Sequence, residues 1–340
     1  MLEYMYNLFK GDFHMNIDAL ETTLNVMIYV FAFLFGITIG SFLNVCIYRL
    51  PKGESLITNN SHCMTCGTEI KRYDLIPVFS WLILRGRCRA CGAKITPRYM
   101  IIELMTGLFF LGVFMRYDVM QFGLYPVMLC LFICGLIVLC FQDLDNREMV
   151  VSVLIYTFII ALLTQVGALI SSKGAPFTLI LPESGLKDGI FGMLSVSLVL
   201  LVFGFVITPL FYNAFVDEDR AELRALRKEI KSAKEGSSDH KKLMDKIKPL
   251  EEKVKAKEPV FGFGMGDVIL MAAGGLMLGL KATITAGFIA VVIAALYGIY
   301  KKIVDDDNAF AFGPFLCAGL AITAFINGYL IDVYMMMLTR

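Results

Sequence analysis

Asp143 and Asp267 are the two acidic residues of this chain best placed to perform chemistry. Each lies at the edge of a long apolar segment, and more than a hundred residues separate them. Carboxylates at the end of a transmembrane helix are costly to desolvate and are functional candidates. Two such groups brought together at low dielectric share one proton, so one can activate a water while the other donates to a scissile carbonyl. The pair predicts aspartic-protease chemistry that needs no metal.

The glycines before Asp267 fit this hypothesis. Gly264 and Gly266 permit a bend and let an extended substrate, or the helix that carries Asp143, approach closely. Other interpretations of the motif remain open. Asp267 can serve as an N-terminal charge on its helix, or both aspartates can line an ion or proton pathway. Asp145 is a close rival to Asp143, although it lies two residues further out and should be more solvated.

A second group of residues points to a metal. The stretches CMTCG (63–67) and CRACG (88–92) begin two similar halves of one polar insert, each with a glycine that suits a tight turn. Two C-x-x-C turns can close a tetrahedral zinc site, in which the zinc folds the insert and leaves no open position for chemistry. Two disulfides or four idle thiols are the alternatives. The predicted ligands are Cys63, Cys66, Cys88 and Cys91.

Long apolar segments must position both groups. The chain has 340 residues, is 57% hydrophobic and has a mean hydropathy of +0.70. Segments of about 20 apolar residues can each cross a bilayer, so we predict an all-α polytopic membrane protein with about eight transmembrane helices. The net charge of +1 gives no sign of a nucleic-acid partner. The predicted spans are roughly 24–46, 99–115, 122–141, 149–171, 189–215, 265–281, 282–300 and 312–338.

The distribution of basic residues predicts the orientation. Basic residues concentrate in 48–97 and 216–258, and the positive-inside rule places both segments in the cytoplasm. Both aspartates then lie at the cytoplasmic face. The predicted domains are an N-terminal segment and first helix (1–46), a cytoplasmic zinc domain (47–98), helices two to five (99–215), a charged cytoplasmic hairpin (216–260) and helices six to eight (261–340).

The charged segment between the fifth and sixth spans has a helical pattern of its own. Apolar residues recur at three- and four-residue spacing over roughly 217–234 and 239–257, with GSS between them. This pattern predicts a short antiparallel coiled-coil hairpin, kinked at Pro249. It can be a solvated spacer or a docking arm.

Five motifs in order along the chain resemble those of the bacterial prepilin peptidases, also called type IV leader peptidases. They are GSFLNVCIYRLP (40–51), the insert through ELMTG (63–107), DLD (143–145), GMGD (264–267) and FGPFL (312–316). Two positions depart from the family pattern. Met149-Val150 replaces an Ile-Pro pair, which we expect to alter the start of the fourth span, and Ile269 replaces a lysine.

The resemblance implies an aspartic endopeptidase of the bacterial inner membrane with catalytic Asp143 and Asp267. Such enzymes remove the basic leader of type IV prepilins or type II secretion pseudopilins at the cytoplasmic membrane face. Many then methylate the new N-terminal residue with S-adenosylmethionine, and four cysteines in the insert resemble the versions with both activities. A presenilin-like protease and a zinc-stabilised ion or proton transporter are the alternatives. The methyl-donor site and the oligomeric state stay unassigned.

Overall fold

Apolar α-helices make up most of the chain in its computed structural model. The structure describes residues 2–57, 61–174, 177–182, 185–207, 264–304 and 311–326, with isolated positions between 222 and 251 and Met336. Within these ranges the regular elements are helical, and β-structure is confined to isolated bridges. The helices are α1 (Leu2–Arg49), α2 (Phe79–Ile83), α3 (Arg98–Arg116), α4 (Val119–Phe122), α5 (Tyr125–Asn146), α6 (Val151–Ser171), α7 (Gly185–Val202), α8 (Met265–Leu278), α9 (Leu280–Val304) and α10 (Gly313–Ile326).

The helices confirm the predicted class of an all-α polytopic membrane protein. Six are long and apolar enough to cross a bilayer, namely α1 from Ala19 onward, α3, α5, α6, α7 and α9. The predicted segments 265–281 and 312–338 coincide with α8 and α10, which are shorter apolar helices in the described residues. Gly279 interrupts the apolar run between α8 and α9 with a φ of 86°, so the sixth helix ends three residues before the predicted boundary.

The chain order brings six helix ends to one side of the bundle. We call this side the insert end, because residues 47–98 connect α1 to α3 there. Arg98, the first residue of α3, bonds to Asp145 near the end of α5. After a four-residue turn, α6 also starts at this end. The first turns of α8 and α10 both lie against Met149 in that turn.

Small residues let α1 and α3 pack closely beside the insert. A Cβ on Gly36 would lie 2.8 Å from the Cα of Gly107, and a Cβ on Gly40 would lie 2.7 Å from the Cα of Glu103. Within lipid the hydrophobic effect does not drive helices together. Small residues stabilise such crossings because they let the two backbones pack closely. The GSFLN and ELMTG motifs therefore meet across one helix interface, where Asn44 also donates to the backbone oxygen of Tyr99 at 3.1 Å.

The predicted hairpin over 216–260 lies largely outside the described residues. Within it, Leu223 and Ile247 are buried, as expected for positions on the predicted seam. Arg227 and Glu251 form an ion pair at 2.5 Å that joins the two predicted helices. The two helices, the kink at Pro249 and the domain boundaries stay predictions.

Candidate active site

The four predicted zinc ligands converge on one point. The sulfur atoms of Cys63, Cys66, Cys88 and Cys91 all lie within 4.8 Å of one another. A tetrahedral site with zinc–sulfur distances of about 2.3 Å requires sulfur atoms about 3.8 Å apart, and Cys63 Sγ lies 3.9 Å from Cys91 Sγ. The nine cysteines are free thiols, so the disulfide alternative does not apply. The donor set and its spacing fit a structural zinc ion.

The two halves of the insert fold alike, as their similar sequences predict. Gly67 donates to the carbonyl of Cys63 and Gly92 to that of Cys88, both at 2.9 Å. Both glycines have a left-handed backbone, with φ values of 69° and 71°. In the first half, the backbone amides of Cys66 and Thr65 lower the pKa of the Cys63 thiol to about 6, which favours the thiolate that binds metal.

The insert is fastened internally around its second half. Arg89 makes two hydrogen bonds to Asp74, at 2.8 and 2.6 Å, and the guanidinium holds the pKa of that carboxyl below its usual value. The indole of Trp81 in α2 donates to the carbonyl of Ile95 at 3.3 Å. Gly86 lies directly under the same indole, where a Cβ would come within 2.7 Å of it. These contacts hold α2 against the second metal-binding turn.

Two hydrogen-bonded contacts fix the insert to the helix bundle. The buried carboxylate of Glu103 in α3 accepts from the backbone N–H of Val78 at 2.7 Å, and the hydroxyl of Ser41 in α1 also bonds to it. Arg98 binds both oxygens of Asp145 at 2.7 Å. The second contact lies two residues from Asp143. The insert is therefore bonded to the end of α5, the helix that carries this aspartate.

Asp143 and Asp267 both lie at the insert end. Each is buried, with 7% of its surface exposed, and their charges are close enough to interact. Asp267 lies in the first turn of α8, where its Oδ2 accepts from the backbone N–H of Gly264 at 3.0 Å. The capping role considered for Asp267 is thus present, alongside its proximity to Asp143. The rival Asp145 is 36% exposed and engaged by Arg98, away from this buried pair.

Gly313 and Met149 complete the surroundings of the pair, and neither was among the predicted site residues. The backbone amide of Gly313, at the start of α10, interacts with the Asp143 carboxylate. A Cβ on Gly313 would collide with Met149 and lie 2.5 Å from Asp143 Oδ2. Met149 also lies against Gly266, with its sulfur 3.4 Å from the Cβ position of that glycine. The FGPFL motif was the sequence signal that could have identified Gly313.

The two departures from the family pattern have different surroundings. Met149 contacts the residues around both aspartates. The departure from the family pattern at this position therefore alters the surroundings of the site as well as the start of α6. Val150 caps α6 and donates to the side chain of Gln142 at 3.4 Å. Ile269 packs against the apolar core in a half-buried position.

Both carboxylates face a helix N-terminus, although Asp143 itself belongs to the last turn of α5. Asp267 belongs to the first turn of α8, and Asp143 faces the first residue of α10. The N-terminus of a helix carries a partial positive charge and free N–H groups, which stabilise an anion there. The sequence argument assigned this effect to Asp267 alone. In the structure it acts on both residues.

Comparison with known proteins identifies the family of the chain. Residues 34–117 match the bacterial peptidase A24 N-terminal domain. Residues 130–299, half of the chain, match the type IV leader peptidase family. The chain belongs to this family. The first match contains the cysteine insert with the α1–α3 interface, and the second contains both aspartates.

Individual members of the type IV leader peptidase family are similar over parts of the chain. A prepilin leader peptidase/N-methyltransferase of Myxococcus xanthus is 42% identical over 117 residues, which are 34% of this chain and 34% of that protein. One of Dichelobacter nodosus is 34% identical over 158 residues, 38% of this chain and 53% of that protein. The chain thus spans about a third to a half of the length of these relatives. No solved structure matches the chain.

We predict that Cys63→Ser and Cys91→Ser will each release zinc from the purified protein. A closed site with one ligand removed holds zinc far more weakly, so the metal content should fall from about one ion per chain to near zero. Elemental mass spectrometry on the purified variants measures the ratio. The matched control is His62→Ala, which removes the imidazole beside Cys63 and should retain the metal. Full zinc content in both serine variants would contradict the four-cysteine site.

Proposed function

We propose that the chain is an intramembrane aspartic endopeptidase that removes the leader of type IV prepilins or type II secretion pseudopilins. The observation that carries the proposal is that Asp143 and Asp267, far apart in sequence, are both buried at the insert end within range of each other's charge. Each faces a helix N-terminus. Burying two like-charged groups at such range is costly unless one of them carries a proton. Membership of the type IV leader peptidase family supports the same reaction.

The proposed reaction uses both aspartates and one water. The ionised carboxylate takes a proton from the water, whose oxygen bonds to the scissile carbonyl carbon. The protonated carboxyl donates its hydrogen bond and then its proton to the carbonyl oxygen. The tetrahedral intermediate collapses as the carbon–nitrogen bond breaks: the leaving amine takes the proton from the first carboxyl, and one hydroxyl of the gem-diol gives its proton to the second carboxylate. A carboxylic acid and a pair with one shared proton remain. Gly264 and Gly313 hold the two carboxylates from the backbone, which fixes their orientation without the freedom of side-chain partners.

A cleft on α9 is a suitable binding site for the apolar helix of such a substrate. Small residues Ala294, Ala295 and Gly298 form its floor, and Val291, Ile299, Lys302 and Phe312 also line it. Small residues let a second helix approach closely within lipid. Phe312 immediately precedes Gly313, so the cleft adjoins the residues around Asp143. A helix in the cleft would bring its end to the aspartates, where the chain must be extended before it is cut.

We further propose that the enzyme methylates the new N-terminus with S-adenosylmethionine. The support is that the similar proteins of Myxococcus xanthus and Dichelobacter nodosus are named prepilin leader peptidase/N-methyltransferases. Zinc would hold the insert in shape through the four cysteines and supply no open coordination position for either reaction. The insert end would face the cytoplasm of the bacterial inner membrane, in agreement with its basic residues.

We predict that Asp143→Asn and Asp267→Asn will each abolish cleavage, with a loss of at least about 10³-fold, because each removes one member of the proton-sharing pair. Purified protein is incubated with a full-length prepilin, with and without S-adenosylmethionine, and the new N-terminus is read by mass spectrometry. Glu148→Gln is the matched control, since it alters an exposed carboxylate in the turn that follows α5. Cleavage by either of the first two variants would remove that residue from the proposed pair. Methyl-free product from the wild type would overturn the second activity alone.

A further prediction concerns Gly313. Gly313→Ala would push against Met149 and the Asp143 carboxylate, and a displacement of about 1 Å at a reacting group costs roughly 10²-fold in rate. We expect that loss in kcat for prepilin cleavage in a protein that remains folded. Gly167→Ala is the control, because its Cβ would meet only the flexible side chain of Leu179, at 3.1 Å. Wild-type kcat for Gly313→Ala would show that this contact does not position Asp143.

The cleft predicts a split between two kinds of substrate. Gly298→Leu fills its floor, so KM for a full-length prepilin should rise by about 10-fold, while a short peptide without the apolar helix should be cut as before. Val292→Leu is the control, on an exposed position of α9 outside the cleft. Steady-state kinetics in detergent measures both substrates. An unchanged KM for the full-length prepilin would exclude the cleft as the seat of the helix.

A further inference from the structure

The short helix α2 of the zinc insert has an exposed apolar face. Phe79, Leu82 and Ile83 recur at helical spacing on one side and are 52%, 53% and 75% exposed. Ile76, just before the helix, is 52% exposed on the same surface. The opposite side is occupied by Trp81, which packs on Gly86. A contiguous apolar face of this kind on a polar insert marks a contact surface.

The depth of α2 is set by its bond to Glu103. The backbone N–H of Val78, the residue that precedes α2, donates to the Glu103 carboxylate. Glu103 lies five residues inside the membrane helix α3, which begins at Arg98, and five residues correspond to about 7.5 Å along a helix. The 19 residues of α3 measure roughly 28 Å, close to the bilayer core of about 30 Å. The start of α2 therefore lies beside α3 about 7.5 Å from its first residue, within the length of a membrane-spanning helix.

Exposed arginines flank α2 in the sequence of the insert. Arg72, Arg85 and Arg87 are exposed and form no ion pair within the described part of the chain. Arg89, by contrast, is engaged by Asp74. Guanidinium groups bind phosphate oxygens in a bidentate manner, and basic residues near a membrane surface are attracted to its anionic lipids. The three free arginines give the surface around α2 the charge that anionic headgroups require.

We propose that α2 lies in the interfacial layer of the bilayer at the insert end, with its apolar face among the upper acyl chains and its arginines on anionic headgroups. Interfacial helices bury their apolar faces about 5–10 Å into this layer, which agrees with the depth set by Glu103. The insert then has two supports, the helix bundle and the lipid. The proposal rests on the membrane-spanning helices and is independent of the proposed catalytic function.

A single tryptophan on the apolar face tests the proposal directly. The one tryptophan of the chain, Trp81, packs on Gly86 on the opposite side of α2, so the probe is Phe79→Trp in a Trp81→Phe background, which keeps an aromatic ring on Gly86. The full-length, zinc-loaded protein is placed in nanodiscs whose lipids carry bromine either high or low on the acyl chain. We expect about two-fold quenching by bromine at the shallow position, less at the deep position, and little quenching by aqueous iodide. Iodide quenching without bromolipid quenching would overturn the proposal and leave the face to a peptide partner.

Variants test separately the contact of the apolar face with acyl chains and that of the arginines with headgroups. Leu82→Ser with Ile83→Ser should at least halve the quenching by shallow bromolipid, whereas Ile57→Ser, at a 91% exposed position outside α2, should leave it unchanged. With bromine confined to phosphatidylglycerol in a mixed bilayer, quenching should exceed that with bromine confined to phosphatidylcholine, because the arginines recruit the anionic lipid. Arg85→Gln with Arg87→Gln should remove this difference. Equal quenching by both lipids in the wild type would exclude headgroup binding.

Discussion

The structure depends on keeping two carboxylic acids together at the edge of a membrane. Each acid is withdrawn from bulk water and near its like-charged partner, and both conditions disfavour charge. The fold offsets this cost with backbone rather than with cations. Two helices start at the pair, so that Gly264 and Gly313 present their amides to Asp267 and Asp143. A lysine or arginine in their place would neutralise the acids and remove their capacity to exchange a proton.

The zinc insert is connected to this pair through a short series of contacts. The metal-binding turns hold α2 through Trp81, and the residue before α2 is bonded to Glu103. The insert ends at Arg98, which donates two hydrogen bonds to Asp145. A distortion of the insert is thereby transmitted to the last turn of α5, two residues from Asp143. A metal held by the four cysteines would therefore influence the site, although it would have no open position for chemistry.

Patterns that are local in sequence predicted their structures well. The paired C-x-x-C turns, the apolar spans and the two membrane-edge aspartates each carry their signal within a few residues, and their convergence followed from helix direction. Contacts between distant residues could not be read this way. Nothing near Gly313 or Met149 indicates that they touch, because that contact depends on how α10 packs on α5. The end of α8 was also misjudged, since Gly279 lies inside an unbroken apolar run.

The length of α8 has a consequence for hydration. Its 14 residues, bounded by Gly264 and Gly279, extend about 21 Å and leave roughly 9 Å of a 30 Å hydrocarbon layer without this helix. At the insert end Gly264 and Met265 are exposed, and the buried Asp267 follows them within one helical turn. A helix that begins so close to this carboxylate leaves it near solvent on the insert side. The proposed hydrolysis would therefore draw its water from that end, without opening the bundle to lipid.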